Sequence, residues 1–157
     1  MNIKIKAAIW TALVLFVTAG MTMAAEGDGT GETARFRSLE EGIVFDAVTD
    51  LMWAAKDNGA DIGWEAAGKY CEDYKVGGFT DWRLPTQKEL ETLYQPAKKE
   101  KNRFAITELI TLSECCVWAS DVSMGGAANF SFRTGARPWA FREDSYKLRV
   151  LPVRDSK

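Results

Sequence analysis

Residues 35–157 predict a single α+β domain. Three observations carry that expectation. Trp64, Ala67, Cys71 and Tyr74 recur at helical spacing, so residues 64–74 form a helix with one apolar stripe. Thr86 with Glu89 three residues later is a capping box, in which each side chain bonds the other's backbone N–H at a helix start. From Cys116 onward, apolar and polar residues alternate with the period of strands. Helices early and an antiparallel sheet late give two helices packed on a twisted antiparallel sheet.

The elements follow in order. Arg35 to Leu39 and Gly42 to Asp46 read as short strands around a Glu40-Glu41 turn, and Leu51 to Ala54 as a third. Residues 57–61, Asp-Asn-Gly-Ala-Asp, are a polar loop before the first helix. Gly77 and Gly78 allow a tight turn. Pro85 ends the extended run that holds Trp82 and Leu84, and it is placed to pack against Leu90 across the start of the second helix. That helix runs from Gln87 to about Tyr94, with Leu90, Leu93 and Tyr94 inward. Residues 95–114 carry no clear period.

Val117 to Ser120 is the next strand, and Asp121 to Gly126 reads as a flexible loop. Ala127–Arg133 and Ala136–Arg142 flank Thr134-Gly135, a two-residue hairpin turn. That register sets Phe130 opposite Trp139 and Phe132 opposite Arg137. Ala128, Phe130, Phe132, Trp139 and Phe141 then share a core face, with Asn129, Ser131, Arg133 and Arg142 on the other. In a last strand, Tyr146 to Arg154, Tyr146, Leu148 and Val150 point inward and Lys147 and Arg149 outward. Trp53, Trp64, Trp82, Trp118 and Trp139 are expected in the core.

Several of these segments resemble a bacterial domain family of unknown function. The best-known relative of that family is the C-terminal domain of the Legionella collagen-like adhesin. Its hallmark is similar to Asp81-Trp82-Arg83-Leu84-Pro85-Thr86 with Glu89-Leu90. Val48 to Trp53 resembles an early strand in which Gly is usual where this chain has Asp50. Trp64 to Cys71 resembles the family's first helix, Val117 to Ser120 its Trp-Ser-Ser strand with Ala119 in place of the first Ser, and Leu151 to Arg154 its closing strand. The resemblance spans about residues 35–154 and implies a C-type-lectin-like fold. The relative is a glycosaminoglycan-binding adhesin module, which implies a binding role but transfers no ligand residue.

Lys4 and Lys6, an apolar run from Ala7 to Ala19 and the small residues Ala24 and Ala25 have the order of a cleavable signal peptide, residues 1–25. Residues 26–34 read as a flexible, Gly-rich leader. The expected location is periplasmic or extracellular, with no membrane span after cleavage. Charge is uneven: residues 26–94 are net −8 and residues 95–157 net +4. A basic face could then meet an anionic partner. In an exported chain, three cysteines suggest one disulfide, from Cys71 to Cys115 or Cys116, since a bond between neighbours closes a strained ring.

The sequence contains no histidine, which excludes Ser-His and Cys-His catalysis and His metal sites. The 57–61 loop offers oxygen ligands but lacks EF-hand spacing, so no metal or cofactor is expected, with calcium left open though no specific motif indicates it. Arg83 reads as a structural donor. The candidate ligand-binding residues are Arg133, Arg142, Lys147 and Arg149, with Asp121 and Ser123 in the adjoining loop. The expected function is a non-catalytic binding module for a glycan, an anionic polysaccharide or a surface protein, with no nucleic-acid partner. The alternatives are an envelope enzyme using cysteine or carboxylate chemistry, distantly like formylglycine-generating enzymes, and a structural envelope protein.

Overall fold

The computed structural model describes residues 35–100 and 103–157. The expected signal peptide 1–25 and leader 26–34 lie outside these residues. The fold is α+β, with two four-stranded sheets where one was expected. Strands β1 (Phe36–Leu39), β2 (Ile43–Asp46), β3 (Leu51–Ala54) and β8 (Val153–Asp155) form the first sheet in the order β1-β2-β3-β8. Strands β4 (Cys116–Ser123), β5 (Gly126–Ser131), β6 (Trp139–Phe141) and β7 (Leu148–Arg149) form the second in the order β6-β5-β4-β7. All pairings are antiparallel except β4 with β7.

The first sheet is built from local turns. Asp50 closes the β2–β3 turn at φ 57, in the left-handed region that Asp and Asn enter more readily than most side chains. Asp46, wholly buried, organises the same turn. Its carboxylate accepts from Arg35 at 2.9 and 2.7 Å, Val48 N at 3.0 Å and Thr49 Oγ1 at 2.9 Å. Burial pushes the Asp46 carboxyl upward, but the bonds from Arg35, Val48 and Thr49 outweigh it and hold it below the usual carboxylate range.

Helix α1 (Trp64–Asp73) buries Ala67 and Cys71, with Trp64 and Tyr74 partly covered, as the apolar stripe predicts. Helix α2 (Gln87–Thr92) starts with the expected capping box. Thr86 Oγ1 accepts from Glu89 N at 3.1 Å, and Glu89 Oε2 accepts from Thr86 N at 2.7 Å. Thr86→Ala is expected to destabilise the domain by about 1 kcal/mol in urea unfolding. An unchanged midpoint would show that the cap contributes nothing.

The 81–90 segment closes the fold. Arg83 and Val153 exchange backbone bonds of 2.9 and 3.0 Å, tying the 81–86 segment to β8. Arg83 also holds Glu89 at 2.8 Å and Asp155 at 3.1 Å, while Arg154 holds Asp81 at 2.7 and 3.0 Å. Arg83 is therefore the structural donor that the sequence suggested.

Two cores result. The main one joins Val44, Trp53 and Val153 of the first sheet to Val117 and Phe130 of the second and to Phe132 just past β5, with Leu90, Leu93 and residues from Phe104 to Leu112 closing it. The smaller one packs Ala67 and Cys71 of α1 on Trp118, Ala127 and Leu148, on the opposite face of the second sheet. Strand β5 is thus buried on both faces, so Asn129 and Ser131, expected outward, are enclosed.

Four further expectations are corrected. Asp121 to Ser123 continues β4 and Gly126 opens β5, leaving Met124-Gly125 as the turn, both at positive φ. The β5–β6 register is Gly126↔Phe141, Ala127↔Ala140 and Ala128↔Trp139, two residues from the one expected. The reason is a wider turn: Thr134 N and Gly135 N both donate to Ser131 O, so the chain reverses over more than two residues. The last strand is split between the sheets. Lys147 sits at φ 58 and Pro152 lacks a backbone N–H, so strand alternation fails at both ends of 148–151. Tyr146 is accordingly exposed and Arg149 buried.

The fourth correction concerns the cysteines. Cys115 and Cys116 are bonded to each other, and Cys71 is free and buried. Cys71 occupies its helix as a packing residue among Leu84, Trp118 and Val150, the role of a small hydrophobe. Burial pushes its thiol up to about 12.

Candidate functional site

The expected basic face is not assembled. Arg149 is 7% exposed; it donates to Ser113 Oγ at 2.7 Å and to Leu148 O at 3.2 Å, and it pairs with Asp61. Ser113 in turn donates from N and Oγ to Asp57 Oδ2 at 2.7 and 2.9 Å. The bond from Arg149 holds the Asp61 carboxyl below its usual range. The oxygens of the 57–61 loop are therefore engaged in anchoring it. Among the described residues, no group of three or more His, Cys, Asp and Glu side chains is arranged to hold a metal ion.

The other basic candidates are dispersed. Arg133 is exposed, with its guanidinium 5.8 Å from the Phe104 ring, which belongs to the main core. Arg142 is partly buried 4.9 Å over Trp64, at the smaller core on the other side of the second sheet. Lys147 is exposed, 5.1 Å over Tyr146. Asp121 accepts from Gln87 N at 2.7 Å at the start of α2, a structural bond.

Of these six, Arg142 lines a small hollow of about 270 Å³ with Gly63 and Glu65, and Ser123 lines a larger one. This is a groove of about 610 Å³ formed with Met124, Gly126, Trp139 and Phe141, and Asp144 stands at its margin. The groove follows from strand geometry. Directly paired residues share a sheet face, so Gly126, Ala128, Trp139 and Phe141 lie on the face that carries Phe130 and Phe132 in the core. The expected face is correct for Ala128, Trp139 and Phe141. What differs is cover: the core ends at Ala128, and the sheet continues beyond it.

Trp139 is therefore 51% exposed, Phe141 73%, and Met124 wholly so. Gly126 lies on the floor of the groove, where a Cβ would sit 3.1 Å from Ala140 O, a close approach of backbone that favours glycine, with the Trp139 ring at van der Waals distance, 4.0 Å. Asp144 Oδ2 accepts from Phe141 N at 3.1 Å and Asp144 N donates to Phe141 O at 3.0 Å, which fixes the end of β6. A concave, mostly apolar site with a few polar groups is the form that ligand sites take.

Sequence reasoning assigned Trp139 and Phe141 to the core and so missed them as site residues. The pairing that leaves them uncovered, Trp139 with Ala128 and Phe141 with Gly126, comes only with the observed register, since the expected one set Phe130 opposite Trp139.

A model of the Lcl C-terminal domain matches residues 42–154. The chain belongs to this family. The match confirms the resemblance carried by the 81–90 hallmark, and it covers both helices, every strand of the second sheet and the groove. No curated protein matches the chain. Membership of the Lcl family suggests an adhesin-like module and an extracellular or envelope location. Among the described residues, no helix is long and apolar enough to cross a membrane. Of the segments that carry the resemblance, 81–90 and 151–154 form the fold's closure around Arg83 and Arg154, and the groove residues lie outside all of them.

Proposed function

We propose that this Lcl-family chain is an exported, non-catalytic, C-type-lectin-like binding module, and that its ligand, a glycan, an anionic polymer or a surface protein, is taken in the groove beside Trp139. One observation carries this reading: Met124, Trp139 and Phe141 are large apolar side chains exposed together around one concavity. Contiguous apolar surface of this kind marks interaction sites. The non-catalytic reading is supported by the lack of histidine and by the bonding of Cys115 to Cys116, and the raised Cys71 thiol offers no thiolate at neutral pH.

The test is a glycan and polyanion array probed with the full chain, with and without calcium, beside a Trp139→Ala/Phe141→Ala variant. Both positions are exposed, so the fold is expected to persist. The variant is expected to lose at least tenfold in affinity for the ligands that the parent retains. Undiminished binding would move the site elsewhere. The exposure of Arg133 and Lys147 favours a second reading, an anionic polymer held by charge. Salt-sensitive binding that survives the groove variant but fails in Arg133→Glu/Lys147→Glu would select it.

A further inference from the structure

We infer that the groove is built for an uncharged oligosaccharide rather than a sulfated or otherwise anionic one. The inference rests on the groove being the binding site and adds the chemical class of its occupant.

Three observations carry it. The first is charge. Asp144 is the ionisable residue among those lining the groove, and among the described residues no lysine or arginine lines it. Arg142 is turned over Trp64, toward the other face of the sheet. A sulfate or uronate in the groove would face the Asp144 carboxylate with no guanidinium to meet it, and like charges brought together in a partly desolvated site are unfavourable.

The second is the pairing of aromatic surface with hydroxyl-matching groups. The C–H face of a pyranose is apolar and its rim is polar, so it suits a ring beside a carboxylate and a hydroxyl. Trp139 and Phe141 supply the rings. One Asp144 oxygen accepts from Phe141 N, and the carboxylate is exposed, so its remaining lone pairs face solvent, where they can accept from sugar hydroxyls. Ser123 Oγ can donate or accept.

The third is spacing. Trp139 and Phe141 are two residues apart on one strand, hence on one face and separated by roughly 7 Å. One sugar ring covers one aromatic side chain; a second ring is needed for the other. Because the groove is open at the sheet edge, a chain can extend past both. Affinity should therefore rise from monosaccharide to oligosaccharide and then level off.

The experiment titrates the full chain, by calorimetry and tryptophan fluorescence, with cello-, chito- and manno-oligosaccharides of one to six sugars and with a heparin hexasaccharide. At least one neutral series is expected to bind, with affinity rising at least tenfold between one and three sugars. Binding should change less than twofold between 50 and 500 mM NaCl. Trp139→Ala should reduce it at least tenfold at an unchanged melting temperature, and Asp144→Asn by a smaller factor. Failure of all three neutral series to bind would overturn the inference. So would heparin binding that depends on Trp139, although the groove would then stand as the site. Neutral binding that Trp139→Ala leaves intact would overturn both readings.

Discussion

Trp82→Ala should destabilise the domain by roughly 3–5 kcal/mol, the range for deleting a buried large aromatic side chain. Trp82 is 3% exposed and stands edge-on to Tyr74, with centroids 5.2 Å apart and planes at 89°. Its Nε1 donates to Val76 O at 3.2 Å, which fixes the turn after α1. Alanine removes the packed ring and that donor together. Against a typical total of about 5–15 kcal/mol, the loss is a large fraction. Trp82→Phe keeps the edge contact and should recover part of it. Urea unfolding of the three proteins measures the series. An alanine variant with an unchanged midpoint and lost ligand binding would reverse the assignment and make Trp82 a contact residue.

Arg149→Glu is expected to leave little folded protein, whereas Arg133→Glu should change stability by no more than about 0.5 kcal/mol, as exposed substitutions do. The contrast follows from position. Arg149 is enclosed, and its guanidinium joins Ser113, the Leu148 carbonyl and Asp61. A carboxylate there would lose all three partners and face Asp61, with Asp57 held just beyond Ser113. A buried charge without a partner is strongly destabilising. Arg149→Met keeps an apolar stem without introducing the repulsion, so it should fall between the two. Circular dichroism melting curves would show the order. Equal melting temperatures for Arg149→Glu and Arg133→Glu would mean that Arg149 is as free as strand alternation alone suggests.

The neighbouring disulfide illustrates a different gap between composition and structure. Three cysteines suggested one bond, and the structure has one. Counting cannot select the partners, because selection depends on which sulfurs the surrounding packing brings together. The helical stripe that made Cys71 a candidate bridge is the same stripe that places it in the smaller core.

The sequence by itself determined the features whose causes are local. The stripe through Trp64, Ala67 and Cys71 specifies α1, because helical spacing repeats within a few residues. Thr86 and Glu89 specify the start of α2, because the capping box closes over four residues. The Glu40-Glu41 turn and the first three strands were legible for the same reason, and the 81–90 hallmark reached the family. The tertiary structure alone decided how far each core extends. Strand alternation assigns Trp139 and Phe141 to the correct face, but only the sheet's overhang beyond Ala128 leaves them in solvent. Only the passage of residues 148–155 from one sheet to the other buries Arg149. Whether a side chain becomes core or binding surface depends on what covers its face, and that cover comes from residues distant in the chain.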